Sequence, residues 1–136
     1  MGLYLCVFRG DEELFGIDVG SYDDWERFRG EARARDGRVF RRYGTLREHV
    51  TPTTRWSPRD AARLAGELDH LREALRREPP RPFAPSSWQA ELAAERGLAP
   101  ASLAECFFDV DGVSLFDGLA ELCRLAVETR QPILFQ

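Results

Sequence analysis

The chain opens with two apolar segments that predict a β-hairpin. Residues 3–8 are apolar almost throughout, as expected of a buried strand, and a polar turn over 9–13 leads to a second apolar segment at 14–19. A further apolar segment at 132–135 predicts a strand at the other end of the chain. Strands at the two ends are expected to pair in one sheet.

Four helices are predicted between these strands, each preceded by a serine that can cap it. The first two helices also have an acidic residue three positions after the serine, which is the capping-box pattern. The second has proline at its first position, where no needed backbone donor is lost. The capping serines, in chain order, are Ser21, Ser57, Ser86 or Ser87, and Ser114.

Apolar residues three and four positions apart predict the buried face of each helix. Gly97 is placed to end the third helix, which contains Leu92 and Ala93. In the other three helices, in chain order, the predicted core residues are Trp25, Phe28 and Ala32, then Ala61, Leu64, Ala65, Leu68, Leu71 and Leu75, then Leu115, Leu119, Leu122, Cys123 and Ala126.

The connecting segments predict less regular structure. Residues 36–50 are interpreted as one or two short strands. The proline-rich segment 79–85 predicts an extended connection, because proline cannot continue a helix. One more helical turn is expected over 100–106, with Ser102 and Glu105 as its capping pair.

Taken together, these elements predict a single α+β domain over residues 1–136. The sheet is expected to be small and mainly antiparallel, built from the N-terminal hairpin and the C-terminal strand, with helices packed on it. A chain of 136 residues with 43% hydrophobic and 31% charged residues fits one globular domain. Because no apolar run approaches the ~20 residues of a membrane span and the N-terminus does not resemble a secretory signal, a cytoplasmic protein without membrane contact is expected.

Charge is unevenly distributed along the chain. The 19 basic residues are all arginine, and the net charge is −4. Residues 1–26 contain seven acids and one arginine, whereas residues 27–59 contain ten arginines and three acids. Such blocks can steer charged partners. The arginine-rich segment 33–47, with Phe40 and Tyr43, is one candidate nucleic-acid surface, but the sequence pI of about 5.3 argues against a dedicated nucleic-acid binder.

Residues 107–117 resemble the opening motif of haloacid-dehalogenase-type phosphatases. In that motif Asp109 would be the nucleophile and Asp111 an acid/base, with Mg²⁺ between them and the phosphate. The family places the motif at the start of a long α/β domain and needs a later lysine, and this chain has neither. An Asp-Gly turn before a helix is therefore the favoured interpretation.

Other reactive groups are sparse. Cys6 and His49 form one conceivable nucleophile pair, but Cys6 lies within an apolar strand, where a thiolate is disfavoured. A small enzyme or ligand-binding domain that uses dispersed carboxylates with Arg41, Arg42 or His49 is the main alternative to a binding protein. Neither a cofactor nor a metal is predicted, and the three cysteines are interpreted as reduced core residues.

Scattered short matches over nearly the whole chain resemble a family of bacterial polymorphic-toxin immunity proteins, immunity protein 70. They lie at residues 1–8 with the acidic turn after them, 19–22, 56–58 and 132–135. The resemblance implies a non-enzymatic protein that binds a cognate toxin domain and blocks its active site or substrate path. It implies neither an oligomeric state nor the identity of the toxin.

Acidic residues near the N-terminus could then speed the capture of a basic toxin, and tryptophan is enriched at binding hot spots. Trp56 and Trp88 are accordingly candidate anchors, although a structural role is favoured for both. The candidate partner-binding residues are Asp11, Glu12, Glu13, Asp18, Asp23, His49, Arg55, Trp56 and Trp88.

Overall fold

The computed structural model describes residues 2–37, 41–48 and 54–136. The strands in these ranges are β1 (Gly2–Arg9), β2 (Glu12–Ser21), β3 (Arg55–Trp56) and β4 (Ile133–Phe135). The α-helices are α1 (Tyr22–Arg35), α2 (Gly44–Arg47), α3 (Pro58–Arg76), α4 (Trp88–Arg96) and α5 (Leu115–Thr129), and a short 3-10 helix spans Leu103–Cys106.

The four strands form one antiparallel sheet in the order β2-β1-β4-β3. The predicted α+β class, the N-terminal hairpin and its pairing with the C-terminal strand are confirmed. β3 was not predicted, because its two residues become a strand only by pairing with β4. The order places β2 at one edge of the sheet.

The core lies between one face of the sheet and helices α1, α3 and α5. Leu5 of β1 pairs with Ile17 of β2, and both are buried against the helices. Because side chains alternate along a strand, Tyr4 and Cys6, the two neighbours of Leu5 in β1, face away from this core. No helix in the described ranges is long and apolar enough to span a bilayer.

Local signals located the main helix boundaries correctly. The boxes Ser21/Asp24 and Ser57/Asp60 both form, with each serine side chain accepting from the backbone N–H of its acidic partner. Gly97 ends α4 in the left-handed conformation, at φ +64°. These interactions join residues at most a few positions apart, so their strength is largely independent of the fold.

Two predicted side-chain caps are wrong. Ser114 precedes α5 and its backbone forms a β-bridge to Phe108, but its side chain makes no capping hydrogen bond. The pair Ser102 and Glu105 does not form either. The Glu105 carboxylate instead accepts from the backbone N–H of Ala101 at 2.7 Å.

The strand prediction for residues 36–50 is also wrong in the part that the structure describes, where a single helical turn, α2, is found. Side chains from two other helices hold this turn. The Glu67 carboxylate accepts from the backbone N–H groups of Thr45 and Leu46 at 3.2 and 3.0 Å. At the other end of the turn, the buried Arg29 donates to backbone carbonyls, so tertiary contacts replace the caps that four residues cannot supply.

Candidate functional site

All five candidate acidic residues lie on edge strand β2 or at its two ends. Asp11, Glu12 and Glu13 occupy the hairpin tip, Asp18 lies within β2, and Asp23 is in the first turn of α1. Glu12 and Ser21 are nine strand residues apart, which corresponds to about 30 Å. The acids therefore follow one edge of the molecule rather than forming a compact cluster.

The carboxylates at the hairpin tip are exposed and only weakly neutralised. Arg9 approaches Glu12 to 3.9 Å, with 64% and 71% of the two side chains exposed, so this ion pair contributes little. The Tyr4 hydroxyl donates to Glu13 at 2.5 Å. That hydrogen bond is the main reason that the pKa of Tyr4 is raised to about 12, with burial adding to it. The tip thus presents net negative charge to solvent.

The other candidate residues are placed less uniformly. Arg55 is exposed, whereas Trp56 beside it is only 1% exposed and packs against Phe135 and Trp25 at ring-centroid distances of 4.7 and 6.2 Å. The side chain of Trp56 therefore has no surface for a partner, in agreement with its favoured structural role. His49 lies outside the described residues.

Trp88 is half-buried and fixed to the start of α1 by a carboxylate. Its indole Nε1–H donates to Asp24 at 2.9 Å, and the Gln89 amide donates to the other Asp24 oxygen at 2.7 Å. The same carboxylate accepts from Ser21 as part of the helix cap. Burial opposes ionisation of Asp24, but the hydrogen bonds from Trp88, Ser21 and Gln89 outweigh it and lower the pKa to about 2.

We expect the Asp24 carboxylate to make the free energy of unfolding depend on pH in the acidic range. Its folded pKa lies below the unfolded value, so its stabilisation is present above about pH 4 and is lost as pH falls towards 2, a change of about 2 kcal/mol. The gap in unfolding free energy between wild type and Asp24→Asn should therefore narrow by about 2 kcal/mol between pH 5 and pH 2 in urea titrations.

A gap that stays constant over this range would contradict the assignment. The exposed Asp11→Asn serves as the control for removing one carboxylate, and it should change stability at pH 7 by less than about 0.5 kcal/mol.

A cavity of about 220 Å³ lies beside Trp88 and Asp24. Its apolar lining comes from β2, from the extended segment after α3, and from residues near the 3-10 helix. The aromatic rings that line it are Phe83, Trp88, Phe107 and Phe108. Four charged side chains, Asp24, Arg27, Glu31 and Arg81, also border it. Sequence reasoning missed this cavity because its residues are spread from position 19 to position 115.

The Asp109 segment forms a turn, as the favoured interpretation predicted. Asp109 is 4% exposed, and its Oδ1 accepts from the backbone N–H groups of Asp111 and Val113 at 2.9 and 3.1 Å. Burial raises the pKa of Asp109 against these two hydrogen bonds. Gly112 in the turn has φ +80°. Asp109 therefore organises the backbone, and within the described ranges no three His, Cys, Asp or Glu side chains are grouped to hold a metal.

Among the described residues of the enzyme alternative, neither Arg41 nor Arg42 lines the cavity. Arg41 and Arg42 are exposed, and Arg42 contacts His70 at 2.5 Å. Cys6 is fully buried, and its burial raises the pKa of the thiol. Cys123 is buried in the core as predicted, whereas Cys6 is buried outside the core cluster. Cys106 is half-buried and lines the cavity.

Several arginines of the second charge block have structural roles. Arg35 binds Glu31 and Glu78, and Arg47 binds Asp36 at 2.9 Å. Tyr43, which would have to stack on a base, is 1% exposed. Within the described part of the segment 33–47, Arg35, Arg47 and Tyr43 are therefore engaged inside the protein, which argues against nucleic-acid binding through these side chains.

The fold and its surface define a small α+β protein with an acidic sheet edge and, at the end of that edge, a cavity that contains aromatic and charged groups. The family model described as immunity protein 70 matches residues 3–135, and the chain belongs to that family. No curated protein and no solved structure gives a significant match. Family membership agrees with the resemblance seen in the sequence and implies a toxin as partner.

Proposed function

We propose that this protein binds a cognate toxin domain and neutralises it by covering the toxin's active site or substrate path, without catalysing a reaction itself. Membership of the immunity protein 70 family carries this proposal. The toxin must be blocked in the cell that makes it, so the proposed location is the cytoplasm of that cell.

The proposed toxin-binding surface is the edge formed by β2 and its two ends. Its carboxylates at Asp11, Glu12, Glu13 and Asp23 are exposed, and Asp18 is partly so. A row of negative charge about 30 Å long suits a basic partner, whose approach it would accelerate. A standard interface buries roughly 800 Å² on each partner, which a surface of this length can supply.

The test is co-expression of this protein with the toxin domain encoded beside its gene, followed by calorimetry with the purified pair. We expect restored growth and a complex that inhibits the toxin in vitro at equimolar ratio. Failure both to protect and to bind would reject the proposal. Protection by chemical modification of the toxin, visible as a mass change after incubation, would reject occlusion.

Neutralising the hairpin tip should slow association with the toxin. For the triple variant Asp11→Asn, Glu12→Gln, Glu13→Gln we expect an association rate about tenfold lower at low salt, a difference that disappears at high salt, and a nearly unchanged dissociation rate. Stopped-flow or surface plasmon resonance measures these rates.

The matched control removes the same charge from the helical side of the molecule. Glu73, Glu121 and Glu128 lie on α3 and α5, where each pairs with an arginine. Their triple replacement by glutamine should change the association rate much less. Equal slowing by both triples would mean that net charge alone, rather than the β2 edge, attracts the toxin.

A further inference from the structure

We propose that the cavity beside Trp88, bordered by Arg27 and Arg81, is an anchor site for one group of the partner: an aromatic ring with a carboxylate next to it. This inference rests on the proposed function and specifies the chemistry of contact at one end of the toxin-binding edge. The cavity size, the state of its carboxylates, the free donors of its arginines and its position carry the inference.

The cavity is the right size for one side chain. Its volume is about 220 Å³, whereas a cavity of about 150 Å³ accommodates benzene and pockets for drug-sized ligands begin at about 300 Å³. The rings of Phe83 and Trp88 both pack edge-on against Phe108, at centroid distances of 5.5 and 5.9 Å. These rings form an apolar wall that suits an aromatic occupant.

The two carboxylates at the cavity already have their hydrogen-bond partners. Asp24 accepts from Ser21, Arg27, Trp88 and Gln89, and only 8% of its side chain is exposed. Glu31 has one oxygen bonded to Arg35 at 3.0 Å and the other to Arg81, with 9% of its side chain exposed. Neither carboxylate is available to bind a cation from outside.

The two arginines have donors to spare. Arg27 bonds Asp24 and Arg81 bonds Glu31, each through one nitrogen, and each side chain remains 59% exposed. Arg35 is different, because all three of its guanidinium nitrogens are engaged and its side chain is 18% exposed. A guanidinium has five N–H donors. Among the charged groups at the cavity, the donors that remain free therefore belong to the positively charged Arg27 and Arg81, and they favour an anionic group.

The cavity adjoins the proposed toxin-binding edge. Val19 of β2 lines it, Asp23 precedes Asp24 in the chain, and Gly20 lies so close to Trp88 that a Cβ there would come within 2.9 Å of the indole. A partner on the acidic edge would therefore reach the cavity. The partner would then carry one carboxylate for the cavity among the basic groups that meet the acidic edge. This arrangement fixes the register of the complex, since a shift along the edge would bring the partner's carboxylate against the carboxylates of β2.

The first experiment uses small probes and does not require the toxin. N-acetyl-phenylalanine carries the ring and the carboxylate, and its amide keeps the ring without the charge. Titration followed by the Trp88 indole N–H signal in ¹H-¹⁵N NMR spectra should show the acid binding about tenfold more tightly than the amide. Equal affinities, or no shift of this signal with either probe, would overturn the proposal.

Two variants test the same site. The double variant R27Q/R81Q should lose the preference for the acid, while Ala84→Trp, which fills the cavity and leaves both arginines in place, should lose binding of both probes. Arg63→Gln is the control, because Arg63 is 63% exposed on α3 and pairs with Asp60 away from the cavity. A preference retained in R27Q/R81Q would overturn the role of the arginines.

Toxin binding identifies the source of the occupant. R27Q/R81Q and Ala84→Trp should each weaken the toxin complex about tenfold or more, whereas Arg63→Gln should not. If both variants lose the probes but bind toxin normally, the site belongs to a free small anion and the partner assignment is overturned. If wild type binds the acid but no toxin, the proposed function itself fails, which separates the two hypotheses.

Discussion

Replacing Trp56 with alanine should destabilise the protein by about 3–5 kcal/mol, the range for removing a buried tryptophan side chain. Trp56 is 1% exposed and joins β3 to the core through its contacts with Phe135 and Trp25. β3 has only two residues, both paired with β4, so the buried indole is a second attachment of this strand to the fold. Urea unfolding monitored by circular dichroism measures the change.

The neighbouring residue provides the control for the Trp56 prediction. Arg55 lies in the same strand but is exposed, and Arg55→Ala should change stability by no more than about 0.5 kcal/mol. The conservative Trp56→Phe should bind toxin with the affinity of wild type. Weaker toxin binding by folded Trp56→Phe, or destabilisation below about 1 kcal/mol in Trp56→Ala, would mean that Trp56 acts at the interface rather than in the core.

Replacing Arg29 with methionine should cost about 3 kcal/mol, because it leaves one buried and two partly buried carbonyl groups without their donor. The side chain of Arg29 is 4% exposed. It donates to Leu46 O at 2.9 Å, to Glu48 O at 2.7 Å and to Arg47 O, which ties α1 to the end of α2. Methionine keeps most of the apolar volume, so the loss reports on these hydrogen bonds together with the ion pair between Arg29 and Glu26. Chemical denaturation measures the cost.

Arg33→Met is the matched control for the Arg29 prediction. Arg33 lies one turn further along α1, is 50% exposed and makes one contact of 3.4 Å with Glu26. Its replacement should change stability by less than about 0.5 kcal/mol. Hydrogen exchange should also distinguish the two variants, since only Arg29→Met should reduce protection of the α2 amides. Equal destabilisation by both would contradict a specific role for Arg29.

The same comparison explains why the arginine-rich block was difficult to interpret from composition. Arg29 and Arg33 are four residues apart on one helix, yet one is almost completely buried and the other is half exposed. Their difference comes from α2, which packs over only one of them. A count of arginines therefore overestimates the charge that is free to meet a partner.

The candidate site was predictable only in part. The exposure of the hairpin acids could be expected, because charged residues at a turn are normally exposed, and they are exposed in the structure. Their role in toxin binding stays a prediction. From the sequence, Trp56 could be either a core residue, which was favoured, or an interface anchor, and its burial shows that it is a core residue. The cavity was missed altogether, because Trp88, Arg81 and Val19 come together only when the extended segment folds back against α1 and β2.

The sequence by itself determined the α+β class, the family, the N-terminal hairpin and the boxed starts of α1 and α3. These depend on periodicity and on capping interactions between residues close in the chain, which act before the fold is complete. Only the tertiary structure decided that residues 44–47 are helical, that β3 exists, and which arginines remain free. Those features depend on hydrogen bonds and burial between distant segments, so their energies exist only in the assembled molecule.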